Sequence, residues 1–192
     1  MKRGSLNNYF SKGYANRGMS LEGDINISNK YYLDKDIAII YKKPTPIKAT
    51  KIVYTKTSSV ITEGFFEMPS TTDYNGIYKG RYIDFDAKET NSKTSFSLNN
   101  VHSHQLKHID NVYNHGGISF LIIRFNLLNK TYLLPSNKIE LFIKNEKRRS
   151  IPINFIENNG IMINGKYNPR LDYIEAIDKY ILEESNYDAK KK

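Results

Sequence analysis

The sequence lacks cysteine entirely, and its longest apolar runs have the length of a single β-strand. The absence of cysteine excludes disulfides and thiolate metal ligands. Because these runs are too short for a signal peptide or a membrane-spanning segment, we expect neither of them. We therefore expect a cytoplasmic protein without a membrane partner. Any bound metal must therefore be held by oxygen ligands or by the four histidines.

Acidic residues are missing from one stretch of the chain. Five lysines and no acid lie between Asp36 and Glu63, and residues 1–60 carry 11 basic and 4 acidic side chains within a total net charge of +9. This local excess predicts contact with the phosphate backbone of a nucleic acid. A general compositional bias toward Lys, Asn, Ile and Tyr is the alternative explanation of the total charge, but it does not explain one acid-free stretch.

The 192 residues fit one domain that is large enough for a real core. Residues 1–16 read as a flexible polar arm, 17–184 as a single domain, and 185–192 as a basic tail. Within the domain, the two prolines at 44 and 46 interrupt regular structure before a hairpin at 47–68, which we expect to project as a stalk. The remaining expected elements are helices at 20–36, 99–114, 136–145 and 173–184, strands at 37–41 (buried), 82–89, 118–125 and 130–134, and an irregular segment at 146–170.

The most informative feature is an acid before a glycine-containing turn, followed by a strand that carries Asp86 and Lys88. Alternate side chains of a strand share a face, so Asp84, Asp86 and Lys88 point to one side of this strand. Asn75-Gly76 and Lys79-Gly80 are both turn-forming pairs, and a tight reversal there would bring Asp73 beside the strand that carries Asp86. Two carboxylates and an ammonium are suited to metal-assisted cleavage of a phosphodiester. A solvated face of an amphipathic strand is the alternative interpretation.

Two further polar residues fit this hypothesis. Thr71 lies two residues before Asp73 and shares its face in an extended segment, and this oxygen-rich set suits Mg²⁺. On the helix predicted at 99–114, Gln105 is the polar exception on an apolar stripe with Ile109. Its carbonyl oxygen is expected to lean toward the metal or its water, with a satisfied buried amide as the alternative. Lys88 is expected to stabilise charge that develops on the phosphate.

The four histidines offer a competing metal site. His104 and His108 are four residues apart on the same predicted helix and can share a metal ion. No third ligand follows at a recognisable spacing, so we favour surface histidines over a zinc site.

The chain closely resembles the RecU-type Holliday junction resolvases of Gram-positive bacteria. The resemblance is strongest at residues 70–90, STTDYNGIYKGRYIDFDAKET, and it extends to NRGMSLE at 16–22, KKPTP at 42–46 and PRLDY at 169–173. It implies a restriction-endonuclease-like α/β fold with a mixed central sheet flanked by helices. It also implies a homodimer that uses Mg²⁺, or Mn²⁺ as a substitute, to cut opposed strands of a four-way DNA junction in recombination and repair.

By position, the resemblance implies that Thr71, Asp73, Asp86 and Gln105 form the metal site and that Lys88 stabilises the transition state. The region at 47–68 matches the family's stalk, which inserts into the junction. The family usually has Glu where this chain has Asp86, and the shorter side chain retracts the carboxylate by one methylene, so metal affinity or preference is expected to differ. A recombinase and a branch-migration helicase are further implied partners.

For contacts with DNA we select six basic residues: Arg17, Lys48, Lys51, Lys56, Lys79 and Arg81. Two rival functions stay open from the sequence. One is a non-catalytic protein that binds junctions with the same stalk and lysines, and the other is an endonuclease that cuts ordinary duplex DNA.

Overall fold

The computed structural model describes residues 20–67 and 71–189. The predicted arm at 1–16, Arg17 and the last three lysines lie outside the described residues. Apart from two short 3₁₀ turns, the elements in chain order are α1 (Leu21–Asp34), β1 (Ile39–Lys42), β2 (Ile47–Tyr54), β3 (Ser59–Phe66), β4 (Tyr74–Tyr78), β5 (Arg81–Thr90), β6 (Ser95–Ser97), α2 (Ser103–Asn114), β7 (Ile118–Phe125), β8 (Lys130–Pro135), α3 (Ser136–Asn145), β9 (Ser150–Pro152), α4 (Ile153–Asn159), β10 (Ile161–Met162) and α5 (Tyr173–Ala189).

A six-stranded mixed sheet forms the centre of the molecule, with strand order β1-β4-β5-β7-β8-β10. Strands β5 and β7 are parallel, and the other neighbours are antiparallel. One apolar core lies between the sheet and helices α1 and α5, and a second lies between the sheet and helices α2, α3 and α4. The α/β class with a mixed sheet flanked by helices is therefore confirmed.

The stalk is a hairpin of β2 and β3 that forms its own two-stranded sheet. Its side chains are exposed along nearly the whole length, including Phe66, which is 75% exposed. The hairpin begins after Pro46, whose carbonyl accepts a hydrogen bond from the Glu67 amide at 2.9 Å. This geometry agrees with the hairpin predicted between the prolines and residue 68.

The segment PRLDY holds the C-terminal part of the chain against α1. Asp24 on α1 is bonded to Arg170 at 3.1 Å and to Arg124 on β7 at 2.6 Å. The Ser28 hydroxyl accepts a hydrogen bond from the Leu171 amide at 2.8 Å. These buried or half-buried contacts give this segment a structural role at the N-terminal helix.

Four sequence expectations need correction. Strand β1 is an edge strand with one fully buried residue, Ile40, rather than a buried strand. Helix α2 begins at Ser103 instead of residue 99, because Val101 is extended. Residues 146–170 contain β9, α4 and β10, which are too short to show a clear periodicity. Helix α5 continues to Ala189, so the boundary expected at 184 lies inside it.

Among the described residues, no helix is both long and apolar enough to cross a membrane.

Strands β1 and β4 approach each other closely at Gly76. A Cβ atom at this position would lie 2.1 Å from the carbonyl oxygen of Ile39 and 2.6 Å from the Cα of Ile40. Both atoms belong to the backbone of the edge strand, so they can move only if the strands separate. We expect Gly76→Ala to lower the free energy of unfolding by about 1–3 kcal/mol, as measured by urea denaturation.

Gly165→Ala is the matched control, because a Cβ atom there has no neighbour closer than 3.9 Å. Equal stability of the two variants would contradict the close approach at Gly76.

Candidate active site

A two-residue turn places Asp73 next to the strand that carries Asp86. Lys79 and Gly80 both have positive φ, at 48° and 74°, as the turn of a tight β-hairpin requires. Strands β4 and β5 then pair with Tyr74 opposite Phe85. Asp73 immediately precedes Tyr74 and therefore lies beside Asp86, which confirms the predicted reversal.

The two faces of β5 differ in chemistry, as the alternation predicts. Ile83, Phe85 and Ala87 pack in the core that α1 and α5 cover. Asp86 and Lys88 point to the opposite face, toward the side of α2. The strand is central in the sheet, so Asp86 is fully buried. The alternative interpretation, in which Asp86 lies on the solvated face of an amphipathic strand, is therefore excluded.

Asp86 and Lys88 form a close ion pair at this site. The Lys88 Nζ atom lies 2.8 Å from Asp86 Oδ2, and the Lys88 side chain keeps 20% exposure. The pKa of Asp86 is raised to about 7, chiefly because burial penalises the charged carboxylate and also because the Asp73 carboxyl is adjacent, while the Lys88 ammonium opposes the shift. Two adjacent carboxyls of this kind favour a bound cation or a shared proton.

The donor set of Asp73 and Asp86 fits a hard divalent cation. Asp86 Oδ1 accepts a hydrogen bond from the Ala87 amide at 3.0 Å, whereas Oδ2 is buried without a hydrogen-bond partner of good geometry. This oxygen, which has only the Lys88 ammonium at 2.8 Å beside it and lies next to a second carboxylate, is a suitable metal ligand. No group of three or more His, Asp or Glu suited to a metal occurs within 20–67 and 71–189.

Gln105 joins the start of α2 to the segment at Thr71. Its Nε2 donates to the Thr71 carbonyl at 3.5 Å, and its Oε1 accepts from the His102 amide at 3.2 Å. The expectation that this carbonyl oxygen leans toward a metal is not what the hydrogen bonds show, because the oxygen caps the helix. The structure thus brings Gln105 to the site through the backbone of Thr71, while its role as a metal ligand stays a prediction.

A second buried acid, Asp84, lies on the same face, where the alternation placed it, but the sequence suggested no role for it. Lys43 Nζ and the Tyr82 hydroxyl bond to its Oδ2 at 2.8 and 2.7 Å, the Thr72 hydroxyl bonds to its Oδ1, and His108 Nε2 lies 3.2 Å from Oδ2. Burial alone would raise the pKa of Asp84, but these four donors lower it below its ordinary value. The available signal was the period of two, which places Asp84 on the face of Asp86.

His108 therefore faces a carboxylate rather than a zinc site. His104 and His108 lie on α2 as predicted, but in the described chain His108 is placed against Asp84.

The basic residues of the acid-free stretch differ in their surroundings. Lys42 pairs with Glu22 at 2.5 Å, Lys43 with Asp84 at 2.8 Å, and Lys51 with Glu63 at 3.4 Å across the stalk. Lysines of a stretch that contains no acid can therefore still pair with acidic side chains from other parts of the folded chain.

The remaining DNA-contact candidates also differ in their surroundings, because some are exposed and others have protein partners. Lys56 lies exposed in the stalk turn, and Lys48 lies over the ring of Phe65 at 5.9 Å. At the opposite end of the β4–β5 hairpin from the acids, Lys79 pairs with Asp178 at 2.9 Å and Arg81 donates to the Gly116 carbonyl at 3.3 Å. All of these stay predictions as DNA contacts.

Comparisons with known proteins agree on one family. The family model described as "Recombination protein U" matches residues 16–179. Two curated relatives named "Holliday junction resolvase RecU", from Staphylococcus aureus strains MRSA252 and JH9, are each 54% identical over 176 residues, which cover 90% of this chain and 85% of the relative. The chain thus carries an acidic and lysine-containing site on a central strand, and its sequence matches the RecU family. It belongs to the recombination protein U family.

A solved structure with weak similarity is Hjc from Archaeoglobus fulgidus, titled as a Holliday junction resolvase from an archaeal hyperthermophile. It has a TM-score of 0.42 and 10% sequence identity, and the match covers 72% of this chain and 94% of the archaeal chain.

The raised pKa of Asp86 predicts a stability penalty in the metal-free protein. Because the pKa is about 7 in the folded protein against an ordinary 3.8, the folded state holds this proton more tightly, and the free energy of unfolding falls as pH rises through that window. Asp86→Asn removes the penalty. We expect it to raise the thermal midpoint in EDTA more at about pH 8 than at about pH 5.

Asp34→Asn, on the exposed end of α1, serves as the control for loss of one negative charge. An equal gain for Asp86→Asn at both pH values would contradict the assignment of the shift to Asp86.

Proposed function

We propose that this protein is a Mg²⁺-dependent endonuclease that resolves four-way DNA junctions. The observation that carries the proposal is the pair of Asp86 and Lys88 on central strand β5, with Asp73 adjacent immediately before β4, in a RecU family member. The relatives' name of Holliday junction resolvase supports the substrate. The stalk and its lysines offer a surface for the junction centre.

Asp73 and Asp86 would hold the cation, with Thr71 and Gln105 completing its surroundings directly or through water. A bound Mg²⁺ would supply a Lewis acid for the phosphate and lower the pKa of a bound water. Lys88 keeps its ammonium partly exposed beside Asp86, where it can donate to a phosphate oxygen as negative charge develops there. With such a water as the nucleophile and the 3′ oxygen as the leaving group, the products would carry 5′-phosphate and 3′-hydroxyl ends.

Resolution requires paired nicks in opposed strands, so two copies of the site must act on one junction. A two-fold symmetric homodimer is the simplest arrangement that presents two such sites. The protein would act in the cytoplasm during homologous recombination and repair, where a recombinase and a branch-migration helicase handle the same junctions.

Asp73→Asn is expected to abolish cleavage of a synthetic four-way junction while retaining junction binding. The change removes a metal ligand and a negative charge without changing side-chain size, so contacts with phosphate are not weakened. Cleavage is measured by gel electrophoresis of end-labelled junctions with Mg²⁺, Mn²⁺ or EDTA, and binding is measured by fluorescence anisotropy in EDTA.

Three outcomes would overturn the proposed function or part of it. Binding by the wild-type protein without nicking in either metal would make it a non-catalytic junction binder. Equal cutting of a linear duplex with the same sequence would make it a general endonuclease. Undiminished cutting by Asp73→Asn would remove Asp73 from the active site.

Lys56→Ala is expected to weaken junction binding and to lower the slope of log affinity against log salt by about 1, because one phosphate contact is lost. Lys56 is exposed in the turn of the stalk. Lys35→Ala, an exposed lysine at the end of α1, removes the same charge away from the stalk. If the two variants bind the junction equally, the stalk is not the DNA-contacting element.

A further inference from the structure

Asp84 is a fully buried carboxylate two residues from Asp86, and three protein donors bond to it. Lys43 Nζ and the Tyr82 hydroxyl lie 2.8 and 2.7 Å from Oδ2, and the Thr72 hydroxyl donates to Oδ1. His108 on α2 adds a contact at 3.2 Å. A carboxylate accepts about four hydrogen bonds, and three protein donors already engage the two oxygens of Asp84, with His108 beside them. Asp84 is therefore held by groups of the protein itself.

Two of these donors lie in the chain segments that lead into and out of the stalk, which we call its two roots. Lys43 stands between β1 and the prolines that lead into β2, and Thr72 lies on the returning chain just before Asp73. The backbone connects the same two roots, since the Lys43 amide donates to the Asp73 carbonyl at 2.7 Å. One carboxylate on β5 thus ties together the outgoing and returning chains of the stalk.

The Lys43 ammonium extends this network to the candidate metal site. It donates to the Thr72 hydroxyl at 2.9 Å and lies 3.4 Å from the Thr71 hydroxyl, in addition to its bond with Asp84. Its three protons are used by these three oxygens. Lys43 is therefore engaged inside the protein and is not a free contact for DNA.

We propose that Asp84 is a positioning residue, which holds both roots of the stalk on β5 and thereby places Thr71 and Asp73 for metal binding. This inference rests on the proposed function of the same site. Asp84 touches neither substrate nor metal. It acts through Lys43 and Thr72, whose contacts hold the chain on either side of the metal ligands. Residues that orient metal ligands typically change metal affinity or activity by about 10–100-fold when they are removed.

Three substitutions test the network at different points. Asp84→Asn keeps the side-chain size but directs an amide NH₂ group at donors, and Thr72→Val removes one hydroxyl at constant shape. Thr72→Ser restores that hydroxyl and is the rescue variant. Tyr78→Phe is the matched control, because it removes a hydroxyl bonded to the Asp178 carboxylate at the far end of the same hairpin.

The readouts separate positioning from binding and from folding. We expect Asp84→Asn and Thr72→Val to retain junction affinity in EDTA within about threefold and to lose about 10–100-fold in cleavage rate at saturating junction. The Mg²⁺ concentration for half-maximal cleavage should rise, and the increase in thermal midpoint that Mg²⁺ gives to the wild-type protein should shrink. Thr72→Ser and Tyr78→Phe should behave as the wild-type protein does.

Wild-type cleavage rate and Mg²⁺ dependence in a folded Asp84→Asn or Thr72→Val variant would overturn the positioning role. If Asp84→Asn does not fold, the comparison of Thr72→Val with Thr72→Ser decides. Equal behaviour of that pair would also overturn it. Failure of the wild-type protein to cut junctions would instead overturn the proposed function, while the Mg²⁺-induced thermal shift still tests positioning.

Discussion

The turn at Lys79 and Gly80 sets the register between β4 and β5, and the position of each candidate catalytic side chain depends on that register. A slip by one residue would turn Asp84, Asp86 and Lys88 into the apolar core under α1 and α5. Ring stacking opposes such a slip, because Phe85 lies between Tyr74 at 4.9 Å and Phe120 at 4.8 Å on that side. The aromatic face of β5 therefore holds the acidic face in place.

Local patterns predicted most of what the structure contains near the site. The period of two divided β5 into its faces. Of the two glycine-containing pairs that predicted a reversal, Lys79-Gly80 forms the turn, while Asn75-Gly76 lies inside β4. Ser20 caps α1, and its side chain accepts a hydrogen bond from the Gly23 amide at 3.2 Å. These features depend on neighbours in sequence. The turn brings Asp73 to Asp86, although Asp73 lies thirteen positions earlier in the sequence.

The contacts that depend on distant partners could not be predicted from the sequence. Asp84 looked like part of a charged strand face, and its burial depends on Lys43, from the end of β1, and on His108, from α2. Gln105 stood out correctly on its apolar stripe, but its oxygen caps α2. Lys51 lay in an acid-free stretch and still meets Glu63, because the hairpin brings β3 beside β2.

The two buried acids of β5 serve different ends because their surroundings differ. Asp84 is bonded to Lys43, Thr72 and Tyr82, which favour its charged form, so it can hold Lys43 and Thr72 without any ligand. Asp86 has one oxygen bonded to the Ala87 amide and the other paired with the Lys88 ammonium, yet burial still raises its pKa, so a metal ion beside it would stabilise its charged form. A two-stranded ribbon is marginally stable alone. The stalk consequently needs firm roots, and the acid that supplies them lies beside the acid that needs a metal.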